Sequence, residues 1–367
     1  MKRYLWIFAV LPFLWSCIAE DRSACPQPRG VSVRMSVCPD PMTAVPRAAD
    51  EEALRDLNFY LLDADGNVVQ HRYQSSPTLR FECLPGNYLL RIAANMGRDL
   101  GENPASEDFT VTHADEYDTL PMSYEGEVSI PSSDETVTLP TVEVQRVVAK
   151  VTYNISVAPD AGDIRLHSVQ PVNLPARVPV FDPGLRAAEY TAGEIVGSSS
   201  QTLTGTFYML PNLQGEVPSI ADQRDKGPAN APADATFLRI RALRGSKVLD
   251  YYIYPGGNNT SNFDIRANTH YRLDIMIRGD AEVDTRIRAY TVEVLCTPEA
   301  ALSNGFLLER QPMRLTLRLG GAYEEAGVEA FVELKTGDVR YFGFEGQWGA
   351  VARTMEIRGP ENDYDIS

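Results

Sequence analysis

Apolar and polar residues alternate with a period of two along much of the chain. Val31, Val33, Met35 and Val37 alternate with Ser32, Arg34 and Ser36. Leu79 and Phe81 alternate with Arg80 and Glu82, and Val151, Tyr153, Ile155 and Val157 with Thr152, Asn154 and Ser156. Tyr271, Leu273, Ile275 and Ile277 alternate with Arg272, Asp274 and Arg278, and Met313, Leu315, Leu317 and Leu319 with Arg314, Thr316 and Arg318. Each stretch predicts a strand with one face in a core and one in water. Ile287–Leu295, Val328–Leu334 and Val339–Phe344 read as further strands. Helix-period stretches are short: Ala48 to Asp56 and Pro298 to Asn304. Proline and glycine punctuate the whole chain. The expected class is all-β, built from antiparallel β-sandwiches.

Two turns are legible. Asp63-Ala64-Asp65-Gly66-Asn67 separates Phe59-Tyr60-Leu61-Leu62 from Val68-Val69, a hairpin signal. Leu84-Pro85-Gly86-Asn87 joins Arg80–Cys83 to Tyr88–Ala93, and Pro before Gly suits a type II turn. A polar stretch from Glu125 to Glu135 reads as a linker. Domain 1 is therefore expected at 30–140, domain 2 at 141–280 and a C-terminal β extension at 281–367. Within domain 2, Gly197–Gln201 and Ala221–Ala235 read as long loops.

The N-terminus predicts processing. Lys2 and Arg3 precede an apolar run, Tyr4 to Trp15, too short to span a bilayer but suited to a signal-peptide core. Ser16-Cys17 follows it directly, like the bacterial lipobox, in which the peptide is cut before a cysteine that is then acylated. Residues 1–16 are thus expected as signal peptide, Cys17 as the lipidation site and 17–29 as a tether. An ordinary secretory peptide with an incidental cysteine is the alternative. Two or three acyl chains hold a membrane far more firmly than one.

Charge and cysteine count narrow the class further. There are 34 Lys and Arg against 50 Asp and Glu, a net charge of -16. That disfavours nucleic acid and anionic lipid as partners. An envelope location permits disulfides. Besides Cys17 the thiols are Cys25, Cys38, Cys83 and Cys296, which allow three full pairings; buried free cysteines are the alternative.

Catalytic patterns are missing from the sequence. His71, His113, His167 and His270 show no metal spacing, and there is neither a nucleophile elbow nor a phosphate loop. Asp63-x-Asp65 lacks the remaining positions of a calcium loop, so it reads as a hairpin. Gly256-Gly257-Asn258-Asn259 reads as a loop tip. Tyr251-Tyr252-Ile253-Tyr254 reads as packing, with at most one face open as a ligand platform. No enzyme activity and no cofactor is expected.

Cys17, Asp21 and Cys25-Pro26, followed by Val31–Val37, resemble the N-terminus of the fimbrial anchor and accessory family of Bacteroidales type V pili. Leu57 to Gly66, Leu84-Pro85-Gly86-Asn87-Tyr88 and Ala94-Asn95-Met96-Gly97 follow in the family's order. Arg146 with Ala149-Lys150 resembles its Arg-x-x-Ala-Lys strand, and Phe263-Asp264-Ile265 with Asn268-Thr269-His270-Tyr271 resembles the pattern before its last fimbrial strand. The likeness covers residues 14–280. It implies tandem transthyretin-like or Ig-like sandwiches, an outer-membrane lipoprotein in a fimbrium, and stalk pilins as partners held by strand pairing. In stalk members an Arg-specific protease trims the chain, and Arg146 is a candidate position, the alternative being a strand-edge Arg. A long alternating strand such as Met313–Leu319 is a candidate donor or acceptor. The alternative function is a surface glycan-binding lipoprotein, with Trp348 or Tyr251–Tyr254 as stacking residues.

Overall fold

The structure is a computed structural model that describes residues 29–40, 49–184, 186–198, 200–279, 284, 286–298, 313–333, 343–344, 347–348 and 352–366. The expected signal peptide, Cys17, the tether up to residue 28 and Cys25 lie outside the described residues.

The first sandwich uses β1 (Val31–Pro39), β2 (Leu57–Leu62), β3 (Val68–Gln74), β4 (Thr78–Cys83), β5 (Gly86–Ala94), β6 (Thr110–Thr112), β7 (Met122–Ile130), β8 (Val137–Thr138) and β9 (Val142–Arg146). The hydrogen-bonded order is β3-β2-β5-β7-β9-β1-β4, with β8 beside β1. Val31, Val33, Met35 and Val37 point into one core while Ser32 and Arg34 face water, as the alternation predicts. β2 departs from alternation because both its faces are covered. Asn58 donates to the Arg98 carbonyl and accepts from Leu100 N, and Tyr60 donates to the Gly101 carbonyl. A segment laid over the strand thus explains why Phe-Tyr-Leu-Leu runs apolar without interruption.

The Asp63–Asn67 hairpin forms as expected. Asp63 Oδ1 accepts from the backbone of Asp65 and Asn67, and Gly66 takes φ 82°. The expected type II turn at Pro85-Gly86 does not form. It needs a positive φ at Gly86, whereas Gly86 already pairs with Ile130 as the first residue of β5. The polar stretch from Glu125 is also no linker over its first half. It is the end of β7, with Glu125, Glu127 and Ser129 outward and Ile130 buried. Ala48 to Asp56 holds only a 3-10 turn, Ala49–Glu52. Of the second helix expectation, Pro298 ends a strand and residues 299–304 lie outside the described residues.

The change of core falls between Val148 and Ala149, later than the expected break at 141. β9 pairs with β1 and β7, and Val147 and Val148 pack in the first core. The second sandwich begins with β10 (Ala149–Val157), β11 (Arg165–Val172), β12 (Leu174–Pro175), β13 (Arg177–Pro179), β14 (Tyr190–Thr191), β15 (Val196–Gly197) and β16 (Thr202–Met209). β17 (Phe237–Arg244), β18 (Lys247–Ile253) and β19 (His270–Ile277) complete it. A three-stranded sheet, β16-β10-β19, packs on a longer sheet that contains β11, β17 and β18. The strands are not all antiparallel: β10 runs parallel to β19, and β1 parallel to β8 and β9. β13 returns to pair with β6 and places Val178 and Val180 in the first core.

The C-terminal strands are β20 (Ile287–Pro298), β21 (Met313–Gly321), β22 (Ala330–Glu333), β23 (Gly343–Phe344), β24 (Gln347–Trp348), β25 (Ala352–Met355) and β26 (Glu361–Ile366). All but β22 and β25, which pair with each other in a separate two-stranded sheet, lengthen the second sandwich's sheet. β20 pairs through Ile287–Thr291 with β18 and through Tyr290–Pro298 with β21. The result is one nine-stranded sheet, β15-β11-β17-β18-β20-β21-β26-β23-β24. Leu317, Leu319, Met355 and Tyr364 form its small outer core.

Candidate functional site: an open strand edge and the joint beneath it

β19 is one edge of the three-stranded sheet, with β16 at the other. Among the described residues it pairs only with β10. Lys150 N donates to Thr269 O and Ala158 N to Ile277 O, so the odd-numbered residues of β19 serve the β10 ladder. The amides of Arg272, Asp274 and Met276 consequently face the open side. Tyr271, Leu273 and Ile275 point toward the core yet stay half-buried, because no strand covers them from that side. A cleft of about 890 Å³ runs along this edge, floored by Tyr251, Ile253, Leu273, Ile275 and Ile287. Arg224, Lys226, Arg272, Arg278 and Arg286 line it against Asp274 and Asp284. In a chain of net charge -16 this is a local concentration of positive charge. An open edge with unfilled apolar positions is the geometry that accepts another strand.

Lys226 closes one end of the cleft. Its Nζ donates to the carbonyls of Asn258 and Asn262 at 2.8 and 2.7 Å and lies 4.8 Å from the Phe263 ring centre. Burial pushes its ammonium down to about 8. Gly256 has no room for a side chain: a Cβ would stand 2.0 Å from the Asn262 carbonyl. The Gly256–Asn259 loop is thus a packed turn around a lysine.

The start of β19 is fixed by a buried joint. Arg146, 1% exposed, donates through Nε and Nη2 to the Glu51 carbonyl and through Nη1 to the Asp40 carbonyl. Nη1 also reaches Asn268 Oδ1 at 3.2 Å, and Asn268 donates to Asp40 Oδ2. Asn268 takes φ 52°, a left-handed conformation that Asn tolerates, immediately before β19. Glu51 Oε1 accepts from Lys150 Nζ at 2.6 Å and from Tyr208 at 2.7 Å. Burial alone would raise the Glu51 carboxyl. The hydrogen bonds from Lys150 and Tyr208 and the charges of Lys150 and Arg146 outweigh it and hold the group below its ordinary value. Burial and the Glu51 carboxylate push the Tyr208 phenol up. Arg146, Lys150 and Asn268, drawn from two separate sequence motifs, therefore meet at one point between the sandwiches. Glu51 and Lys226 carried no signal in the sequence. Arg146 is neither at a strand edge nor open to a protease; it ends β9 in the interior.

The other candidates resolve as follows. Cys38 and Cys83 are free thiols. Cys83 pairs with Val31, and Cys38 stands seven residues further along β1, roughly 23 Å away at about 3.3 Å per residue. A Cys38–Cys83 disulfide is excluded by that distance. Burial pushes both thiols up. The side chains of Cys296 and Trp348 lie outside the described residues. Tyr251, Tyr252 and Tyr254 are all buried, on both faces of their strand, so they offer no open stacking platform. Met313–Leu319 is held on both sides, by β20 and β26. No group of three metal-ligating side chains occurs among the described residues. Among them, no helix is long and apolar enough to cross a membrane.

A sequence profile described as "Domain of unknown function (DUF4906)" matches residues 207–275, which run from the end of β16 into β19. No match was found among curated protein sequences. Several solved structures are similar. A protein from Bacteroides eggerthii described as a candidate cell adhesion protein shares 13% identity and a TM-score of 0.50, covering 80% of this chain and 96% of that one. The tip fimbrial protein Mfa3 of Porphyromonas gingivalis, in a C-terminally truncated form, shares 18% identity and a TM-score of 0.48, over 70% and 98%. A fimbrilin from Porphyromonas gingivalis shares 13% and 0.47, over 71% and 95%. In fold, this chain is similar to the cell adhesion protein of Bacteroides eggerthii.

Proposed function

We propose that the chain is an outer-membrane-anchored fimbrial subunit, an anchor or accessory subunit of a type V pilus. It acts by structure and not by catalysis. Acyl chains on Cys17 hold it in the membrane, residues 18–29 serve as tether, and the sandwiches extend outward. A stalk subunit is held by a strand added to the free edge of β19. The observation that carries this reading is the open β19 edge, with core-facing Tyr271, Leu273 and Ile275 left half-buried above an apolar floor. The basic lining favours a donor strand with acidic outward residues. The similar folds support a fimbrial setting; the membrane anchor is supported by the lipobox sequence.

Two measurements test this. Mass spectrometry of fimbriae released gently from outer membranes should find the chain as a small fixed share of the stalk subunit, with an acylated N-terminus at Cys17. Its complete absence from fimbriae would sink the proposal. Asp274→Pro removes an amide from the open side of β19 and leaves the β10 ladder intact. It should preserve the fold and abolish fibre attachment; normal attachment would eliminate β19 as the acceptor.

A further inference from the structure

Another open edge lies in the first sandwich. β7 is nine residues long but pairs with β9 only at Met122–Arg146 and Ser123–Gln145. From Tyr124 onward β7 has no strand on that side among the described residues. Tyr124 and Val128 point toward the core, yet both remain half-buried. The two strands diverge around a cleft of about 700 Å³, with Met35, Leu90, Leu139 and Phe181 among its apolar lining. Neighbouring strands in a sheet stand about 4.8 Å apart, so a diverging pair leaves space for an added chain.

The charge here is opposite to that of the β19 cleft. Asp40, Glu125, Glu127 and Glu143 line it, and Glu125 is engaged by Arg91. The one basic lining residue, Arg146, has its guanidinium buried and turned onto the carbonyls of Glu51 and Asp40. Glu127 on β7 and Glu143 on β9 face outward, on the two strands that would flank an inserted segment.

We propose that the β7–β9 cleft is a second docking site, which takes an extended segment of a partner protein in which apolar residues alternate with Lys or Arg. The apolar side chains cover Tyr124, Val128 and Leu139, the basic ones face Glu127 and Glu143, and the backbone pairs with the open side of β7. This site is independent of β19 and stands whether or not β19 accepts a strand.

The test uses the full-length chain and a fluorescent nine-residue peptide of alternating valine and lysine, with a valine–glutamate peptide as comparison. The basic peptide should bind, and hydrogen exchange at residues 124–129 should slow on binding. The double variant Glu127→Lys/Glu143→Lys should weaken it at least tenfold. The control Glu107→Lys/Asp160→Lys, which reverses two exposed acidic residues elsewhere, should change affinity less than twofold. Equal weakening by both variants would overturn the proposal, since general attraction to an acidic protein would then explain binding. Binding seen only after residues 41–48 are replaced by a Gly-Ser linker would also overturn it, by assigning the cleft to the chain's own segment. Failure of Asp274→Pro to affect fibre attachment would bear on β19 and leave this result untouched.

Discussion

Arg146 places a guanidinium in the interior against backbone carbonyls, beside a Glu51 carboxyl that is held low, against its burial, chiefly by hydrogen bonds from Lys150 and Tyr208. Replacing it with Met leaves the Glu51 and Asp40 carbonyls without that donor, each at a cost of about 1–3 kcal/mol. Arg146→Met should therefore lose about 3 kcal/mol of stability in denaturant unfolding and loosen the start of β19. Glu51 adds a pH dependence. Its carboxyl is depressed in the folded chain, so its contribution is complete above the ordinary value and disappears as pH falls through the folded one. Glu51→Gln should flatten the loss of stability on acidification below about pH 4.5. Lys226 acts in the opposite direction. The folded chain releases its proton near pH 8 and the unfolded chain near 10.5, so between them the unfolded state binds more protons. Stability should rise with pH across that window, and Lys226→Met should remove the rise. The sequence singled out Arg146, Lys150 and Asn268 only through family motifs. That they share one site depends on the fold, because residues 146 and 268 meet only once both sandwiches are built.

At the scale of elements, the alternation found β1, β4, β10, β19 and β21 because each keeps one dry and one wet face. It was silent wherever both faces are covered. β2 is one case, and β18 another: Leu249 and Tyr251 enter the sandwich core, while Tyr252 and Asp250 are buried on the other side. Asp250 is fully buried and bonded to Arg241 directly across the sheet, at 2.8 and 3.1 Å. Asp250→Ala should cost about 3–5 kcal/mol, measurable by thermal or urea unfolding, because it strands a partly buried guanidinium. The parallel pairing of β10 with β19 was also illegible. Period-two patterns set faces, not neighbours, and 120 residues separate Val151 on β10 from its partner Tyr271 on β19. The polar end of β7 read as linker because its outward residues are Glu, Glu and Ser and its inward ones include Gly126.

At the scale of the molecule, the C-terminal strands cap an edge that would otherwise be open. β20 covers β18, and the sheet continues outward to β24. A chain ending at Arg286 should expose the β18 edge and self-associate with concentration, as read by sedimentation; a stable monomer would contradict that role for β20. The two clefts described above carry opposite charge and lie one on each sandwich. The central claim is that β19 accepts a partner strand, and its most direct test is hydrogen exchange on β19, comparing the free chain with chain incorporated into fibres. The amides of Arg272, Asp274 and Met276 should exchange quickly in the free chain and become protected in the fibre. Unchanged, rapid exchange at these three amides in assembled fibres would contradict the account.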